Sequence, residues 1–388
     1  MRYVQKLSSA VFLLLVGASV GAQSTGEEQV RQAFRQMIDQ EEVHNGVLQM
    51  QSADSTLNWT FVGGAFQDGA PLSERNPFHA ASVGKTVTAA VVMKLVEAGK
   101  LELDDSIAEH LPPAMVSGLH LYAEEDYSQK ITIAQLLQHT SGLPDYIMDM
   151  PHDGSPNMMT LALQNPHKSW EVADFLTFTK EKLKAHFPPG QGYYYTDTDY
   201  VLLGLIIEAK YQKALHQVYT EELFKPLEMH HTAMFKRSQA IMPSERMAEL
   251  YVERDEISTY ESLTIDWAGG GLVTTTEDLL KFGRALFSGA IVSQASLDRM
   301  QDWYPESEGI YYGLGLRKFE FSELASGLPP LTIIGHSGAS ASFLFYCPEL
   351  QLYVAGTFNQ TTQMRAAIEF LVTTLVTLKF NHYNFVKP

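Results

Sequence analysis

The segment Phe78-His79-Ala80-Ala81-Ser82-Val83-Gly84-Lys85-Thr86-Val87-Thr88-Ala89-Ala90-Val91-Val92-Met93-Lys94-Leu95 puts a serine and a lysine at the mouth of an apolar helical run. It holds the only Ser-x-x-Lys of the chain. Residues three apart at a helix start share a face, so the hydroxyl and the amine can meet. A partly deprotonated amine can take the proton of a serine hydroxyl, which is otherwise a poor nucleophile at neutral pH. The helix N-terminus adds positive potential where an oxyanion would form. Taken alone, the pattern fits a capping serine beside a surface lysine equally well. The rest of the chain has to separate the two.

Upstream, the first residues read as an export signal. Arg2 and Lys6 form a basic start, Leu7 to Val16 an apolar stretch, and Val20-Gly21-Ala22 a small-residue cleavage site. The expectation is a mature bacterial chain from about Gln23, periplasmic or secreted. The apolar stretch is too short to span a bilayer and nothing later is long and uncharged enough, so no membrane insertion is expected after signal removal. A chain of 388 residues can bury a large core, arranged here in two lobes. Its single cysteine, Cys347, makes no internal disulfide, which fits a periplasmic enzyme held by its core. A net charge of −17 argues against nucleic acid and anionic membranes as partners.

Residues 27 to 42 carry helix-like apolar spacing (Val30, Ala33, Phe34, Met37, Ile38), and two strand-like runs follow, Gly46 to Gln51 and Leu57 to Ala65. From about residue 113 to 260 the pattern is mostly helical. It predicts a short helix from Ile133 capped by Thr132, a loop from Gly154 to Pro166, and helices over Trp170 to Phe187 and Tyr200 to Leu215. Thr276 is expected to cap a helix from Glu277 to Leu286. Strand-like runs then return at Tyr312 to Leu316, Leu331 to Ile334, Ala341 to Cys347 and Leu352 to Phe358, before a helix from Thr362 to Leu378. This layout predicts an α/β domain built from both ends of the chain, residues 23–112 and 261–388, with residues 113–260 inserted as a helical domain.

Two further clusters stand out. Tyr193-Tyr194-Tyr195-Thr196-Asp197 follows a Pro-Pro-Gly breaker and precedes the Tyr200 helix. Gly335-His336-Ser337-Gly338-Ala339 lies between two strand-like runs, with glycines that allow a ligand or another backbone to come close. Each has an ordinary reading, aromatic packing for the first and a strand bulge for the second. In this order, however, Ser82-x-x-Lys85, Tyr195-x-Asp197 and His336-Ser337-Gly338 resemble the three-motif signature of the serine β-lactamase and penicillin-binding-protein superfamily. The nearest branch is that of class C β-lactamases, D-alanyl-D-alanine carboxypeptidases and related esterases. Leu136-Leu137-Gln138-His139-Thr140-Ser141-Gly142-Leu143-Pro144, Pro226-Leu227-Glu228-Met229 and Ala268-Gly269-Gly270-Gly271-Leu272 are similar to other stretches of that superfamily, so the resemblance runs from about 28 to 380.

The resemblance implies a β-lactamase/transpeptidase-like fold, an antiparallel sheet flanked by helices with the inserted helical domain. It makes Ser82 the acylated nucleophile, Lys85 the group that helps remove its proton, and Tyr195 the relay that returns the proton to the leaving group. With His336 these form the expected catalytic set. Asp197, Ser337, Gly338 and Ala339 form the expected substrate-binding set, with the N–H groups of Ser82 and Ala339 as the oxyanion hole. No cofactor and no metal are expected, since His230-His231 has no third ligand at suitable spacing.

Two positions depart from the pattern. Asp197 stands where most relatives have Asn, and an ionised carboxylate accepts hydrogen bonds but cannot donate to a penicillin side-chain amide. Beside Lys85 it favours the ammonium form, or else it receives a substrate amine. His336 stands where many β-lactamases have Lys, and it is a weaker anchor for a substrate carboxylate; Arg317 is a possible substitute. The expected function is an exported serine hydrolase, carboxypeptidase-, aminopeptidase- or esterase-like, working through an acyl-enzyme on ester or D-amino-acid-type peptide bonds of small molecules or short peptides. A class C-type β-lactamase is the alternative, and a penicillin- or peptide-binding protein with little turnover a second one.

Overall fold

The computed structural model describes residues 25–380; the expected export signal at 1–22 lies outside them. Eight strands form the main sheet: β1 (Asn45–Ser52), β2 (Asn58–Gly64), β3 (Tyr304–Ser307), β4 (Ile310–Tyr312), β5 (Arg317–Glu320), β6 (Thr332–Ser337), β7 (Phe343–Cys347) and β8 (Leu352–Thr357). Their spatial order is β3-β4-β5-β6-β7-β8-β1-β2, and every neighbouring pair is antiparallel. The first hairpin closes onto the last strand, with Val47 opposite both Val62 and Thr357. Both ends of the chain therefore build one sheet, and none of its strands comes from residues 113–260.

Period-two alternation sorts the strand residues between two cores. Leu48, Ile333, Phe343, Phe345, Leu352 and Val354 face one apolar cluster, shared with α1 (Gly26–Ile38) and the C-terminal helix. Val47, Ile334, Leu344 and Ala355 face the other, which continues into α2 (Gly84–Glu97), α3 (Asp197–Tyr211) and α4 (Thr276–Phe287). The C-terminal helix, α5, spans Met364–Phe380. With both faces covered, the strands read as nearly continuous apolar runs. α2 is apolar on almost every side because it is buried on almost every side.

Several local expectations shift. The stretch expected as a loop from Gly154 to Pro166 contains a helix, Met158–Gln164, whose start is capped by the Asn157 side chain. The Trp170 to Phe187 helix shortens to Val172–Lys182. The strand expected at Tyr312 to Leu316 is a hairpin turn between β4 and β5, with Gly315 at φ 77°. Thr275 caps α4 in place of Thr276. The 113–260 segment also supplies a short strand, Ala233–Met234. It pairs with Leu272–Thr274, which in turn pairs with Phe78–His79 just before Ser82.

Candidate active site

Ser82 sits in a tight 3₁₀ turn, Ala81–Val83, that runs directly into α2. Ala81 has φ 45°, a left-handed conformation that costs a non-glycine residue roughly 1–3 kcal/mol. The surrounding backbone holds that turn. Ser342 Oγ donates to the Ala80 carbonyl at 2.6 Å and Ser340 Oγ to that of His79 at 2.7 Å. A Cβ at Gly270 would stand 2.6 Å from the Ala81 carbonyl carbon, and one at Gly338 2.5 Å from the Ala80 oxygen. Two glycines thus let the Ala268–Gly271 turn and the end of β6 close on the serine from either side.

One helical turn on, Lys85 is fully buried and its Nζ makes three contacts. It reaches Ser82 Oγ at 3.3 Å, donates to the Gly269 carbonyl at 3.0 Å, and forms a very short ion pair with Asp197 Oδ1. Burial pulls the ammonium toward its neutral form, but the Asp197 charge and Tyr195 more than offset this, and Lys85 is held well above the usual lysine range. Asp197 opens α3, whose N-cap is Thr196. Thr196 and Thr198 hydroxyls both donate to the Pro144 carbonyl, at 2.9 and 2.6 Å, which ties this helix start to the loop after His139.

Tyr195 precedes that cap. Ser82 is among the groups that act on its phenol, and Lys85 Nζ lies 4.9 Å from its ring centre. Burial raises the phenol above its ordinary value; Lys85 opposes the rise without cancelling it. The three expected residues Ser82, Lys85 and Tyr195, far apart in the chain, converge on one point together with Asp197.

The third motif comes together differently from the expectation. Ser337 and Ala339 lie at the end of β6 beside the serine, with Ala339 exposed, while the Gly338 N–H is spent on the Ser342 carbonyl at 2.8 Å. His336, expected in the catalytic set, is buried with both ring nitrogens engaged: Nδ1 donates to the Ser337 carbonyl at 2.7 Å and Nε2 accepts from the Tyr312 hydroxyl at 2.9 Å. Burial and the charges of Arg317 and Lys85 hold it well below the ordinary histidine range. A neutral ring with neither nitrogen free cannot exchange protons with a substrate, so we assign it to holding Tyr312 and the strand end. Arg317 Nη1 lies 3.4 Å from Ser337 Oγ, but its Nε and Nη2 form a two-pronged pair with Glu306 at 2.8 and 3.0 Å.

Sequence reading passed over several members of this site. Asp145, directly after the Leu136 to Pro144 stretch, is buried and accepts the N–H groups of Ile147 and Asp197 on Oδ1. Its Oδ2 has no partner among the described residues, and burial together with the Asp197 charge keeps its carboxyl well above the usual range. Tyr312 and Glu306 had no pattern to mark them, since each acts through tertiary placement; the Gly269 carbonyl lies in the marked Ala268 to Leu272 stretch, but its contact with Lys85 was not foreseen. No group of His, Cys, Asp and Glu suited to a metal ion occurs among the described residues.

The "Beta-lactamase" family profile matches residues 15–375. The chain belongs to this family. It has the mixed α/β, antiparallel-sheet fold expected from its motifs. Penicillin-binding protein 4* of Bacillus subtilis is 27% identical over 278 residues, covering 68% of this chain and 56% of that protein. The chain spans about half or less of the length of the curated relatives it matches. Among solved structures, a D-stereospecific amidohydrolase from Streptomyces sp. is 25% identical with a TM-score of 0.71, covering 89% of this chain and 96% of that one. D-amino acid amidase from Ochrobactrum anthropi SV3 shares the fold at 21% identity and a TM-score of 0.75, covering 92% and 99%.

Proposed function

We propose that the chain is an exported serine amidohydrolase and esterase that forms an acyl-enzyme on Ser82, with small amides and esters of D-amino-acid type as substrates. The observation that carries this reading is a partly exposed Ser82 hydroxyl 3.3 Å from the Lys85 ammonium, which itself lies 4.9 Å from the Tyr195 ring centre.

With Lys85 an ammonium and Tyr195 a phenol at rest, the serine proton leaves by relay. Ser82 Oγ attacks the carbonyl carbon, and Tyr195 hands its phenolic proton to the departing nitrogen or oxygen as its oxygen takes the Ser82 proton, so that the carbon–leaving-group bond breaks to give the acyl-enzyme with Tyr195 again a phenol. Lys85 stabilises the negative charge that develops on Oγ and on the phenolic oxygen while keeping its proton. The Ser82 and Ala339 N–H groups are assigned to the substrate oxyanion. Water then repeats the relay in reverse.

The preference for amides and esters over substrates with a free carboxylate follows from the charges near the strand end. His336 is neutral, and the guanidinium of Arg317 is already matched by Glu306. Neither offers the unpaired cation that a peptide C-terminus or a β-lactam carboxylate requires. Likeness to the Streptomyces amidohydrolase supports the D-stereochemistry.

The test is a fluorophosphonate labelling assay with a substrate panel. Wild-type protein is expected to label once and to turn over D-phenylalanine amide and a p-nitrophenyl ester faster than nitrocefin or a D-alanyl-D-alanine peptide. Ser82→Ala is expected to abolish labelling and turnover together. Labelling that survives in that variant refutes the nucleophile, and one equivalent of product with no further turnover replaces the hydrolase by an acylating binder.

A further inference from the structure

Behind Tyr195 lies a polar group that the relay does not use. His139 is completely buried, in a left-handed conformation with φ 59°, and its ring centre lies 4.3 Å from that of Tyr195 and 4.7 Å from that of Tyr312. Its two nitrogens have opposite surroundings. Asp199 Oδ2 stands 2.9 Å from Nδ1, and the Thr196 backbone N–H points at the same nitrogen from 3.4 Å. Nε2 is buried with no hydrogen-bond partner among the described residues.

Donor and acceptor accounting points to one tautomer. An amide N–H directed at Nδ1 needs a lone pair there, so Nδ1 carries no hydrogen and the hydrogen is on Nε2. The contact with Asp199 then requires a proton on the carboxyl, donated from Oδ2 to Nδ1. The other Asp199 oxygen remains an acceptor and takes the Ser141 hydroxyl at 2.6 Å, while Ser141 Oγ accepts the Leu143 N–H at 3.0 Å. The Nδ1 lone pair is then shared by the Thr196 N–H and the Asp199 O–H, and the hydrogen on Nε2 has no acceptor among the described residues, in a ring that packs against Tyr195 and Tyr312.

We propose that His139 is a positioning residue for Tyr195, held in its Nε2–H form by a proton that resides on Asp199. The buried N–H sets a partial positive charge against the electron-rich rings around it, of which Tyr195 is the nearest by ring centre. It supports the anionic character that Tyr195 gains as its own proton departs for the leaving group, and it fixes the ring for that transfer. A neutral Asp199 keeps a second negative charge away from the same phenol. Burial favours this state: it pushes the Asp199 carboxyl well above its ordinary value, with the Ser141 bond opposing, and it pushes the His139 ring well below its own.

The other charged or titratable groups facing His139 are Lys85 from α2, Tyr193 and Tyr195 from the loop before α3, Tyr200 on α3 and Tyr312 on β4. Arg317 and His336 act on it from β5 and β6.

The positioning role rests on the proposed relay, whereas the tautomer does not, and the experiment reads them separately. Nitrogen-15 NMR of histidine-labelled whole protein, with His139→Phe used to assign the signal, is expected to show a hydrogen-bearing Nε2 and a bare Nδ1. A hydrogen on Nδ1 overturns the proton placement whatever the enzyme does. In the labelling assay, His139→Phe keeps the ring packing and loses the N–H. Its labelling rate is expected to fall about fivefold, with the alkaline limb of the pH profile moved upward. His139→Gln returns an N–H at that depth and is expected to move the profile back. Wild-type rate and profile in His139→Phe, or no recovery in His139→Gln, overturns the positioning role. Absence of labelling in wild-type protein refutes the relay itself and leaves the NMR result to decide the tautomer.

Discussion

Two walls meet at Ser82, and they solve the same electrostatic problem from opposite sides. One is acidic: Asp197 pairs with the Lys85 ammonium, and the buried Asp145 and the half-buried Asp266 lie within reach of the Asp197 charge. The other is aromatic and basic, with Tyr195 and Tyr312 set among His139, His336 and Arg317. Each wall retains one ion pair, Lys85 with Asp197 and Arg317 with Glu306. The neighbouring groups are driven neutral, the Asp145 carboxyl upward and the two imidazoles downward. In a medium of low polarity, a single matched pair costs less than several unmatched charges. The difference lies in what each pair does. The acidic wall holds its cation against the nucleophile, and the basic wall matches its cation away from the substrate.

Breaking the first pair should have the largest effect. Lys85→Met removes the charge that stabilises Ser82 Oγ and leaves Asp197 buried without a partner. Fluorophosphonate labelling is expected to slow about a thousandfold or more. Loss of one member of a buried pair should cost about 3–5 kcal/mol of stability in urea unfolding. The double variant Lys85→Met with Asp197→Asn is expected to recover most of the stability and none of the activity. Equal losses in the two variants would mean that the pair does not bear on stability as described.

The second pair is the place to change specificity. Glu306→Gln removes the carboxylate that matches Arg317, whose guanidinium is only 14% exposed. A substrate carboxylate then becomes its best available partner. KM for a D-peptide ending in a free carboxylate is expected to fall about tenfold, with little change for D-phenylalanine amide. If KM falls equally for both, the guanidinium is not what excludes carboxylates.

The two walls were legible to very different degrees. The ion pair of the acidic one announces itself, because Ser82 and Lys85 share a helical turn and Asp197 follows Tyr195 at fixed spacing, whereas Asp145 and Asp266 carried no such signal. The main sheet was legible too, since strands buried on both faces keep their apolar runs. Helix ends were less so. The cap at Asn157 was hidden among polar loop residues, and the β4–β5 hairpin turns on Gly313 and Gly315 inside a run that reads as one strand. Tyr312, Glu306 and the role of His139 could not be read at all. Each depends on which residue lies across a sheet or behind a ring, and local spacing does not record that.

The smallest expected effect concerns stability, and it refines the account of the acidic wall. Asp266 is half-buried, and burial together with the Asp197 charge pushes its carboxyl up to about 7, with Lys85 pulling the other way. In the unfolded chain the same group titrates near its ordinary value of about 3.9. Between those two values the folded protein binds more protons than the unfolded one, so this group lowers stability progressively as pH rises from about 4 to about 7, and by a constant amount above that. Asp266→Asn removes the dependence. The drop in melting temperature between pH 5 and pH 8 should therefore narrow in the variant, which should be the more stable protein at pH 8. It should not vanish, because Asp145 and Asp199 are shifted in the same direction and remain. An unchanged slope in Asp266→Asn would mean that Asp266 is ionised throughout this range and that the acidic wall carries one more negative charge than its single cation matches.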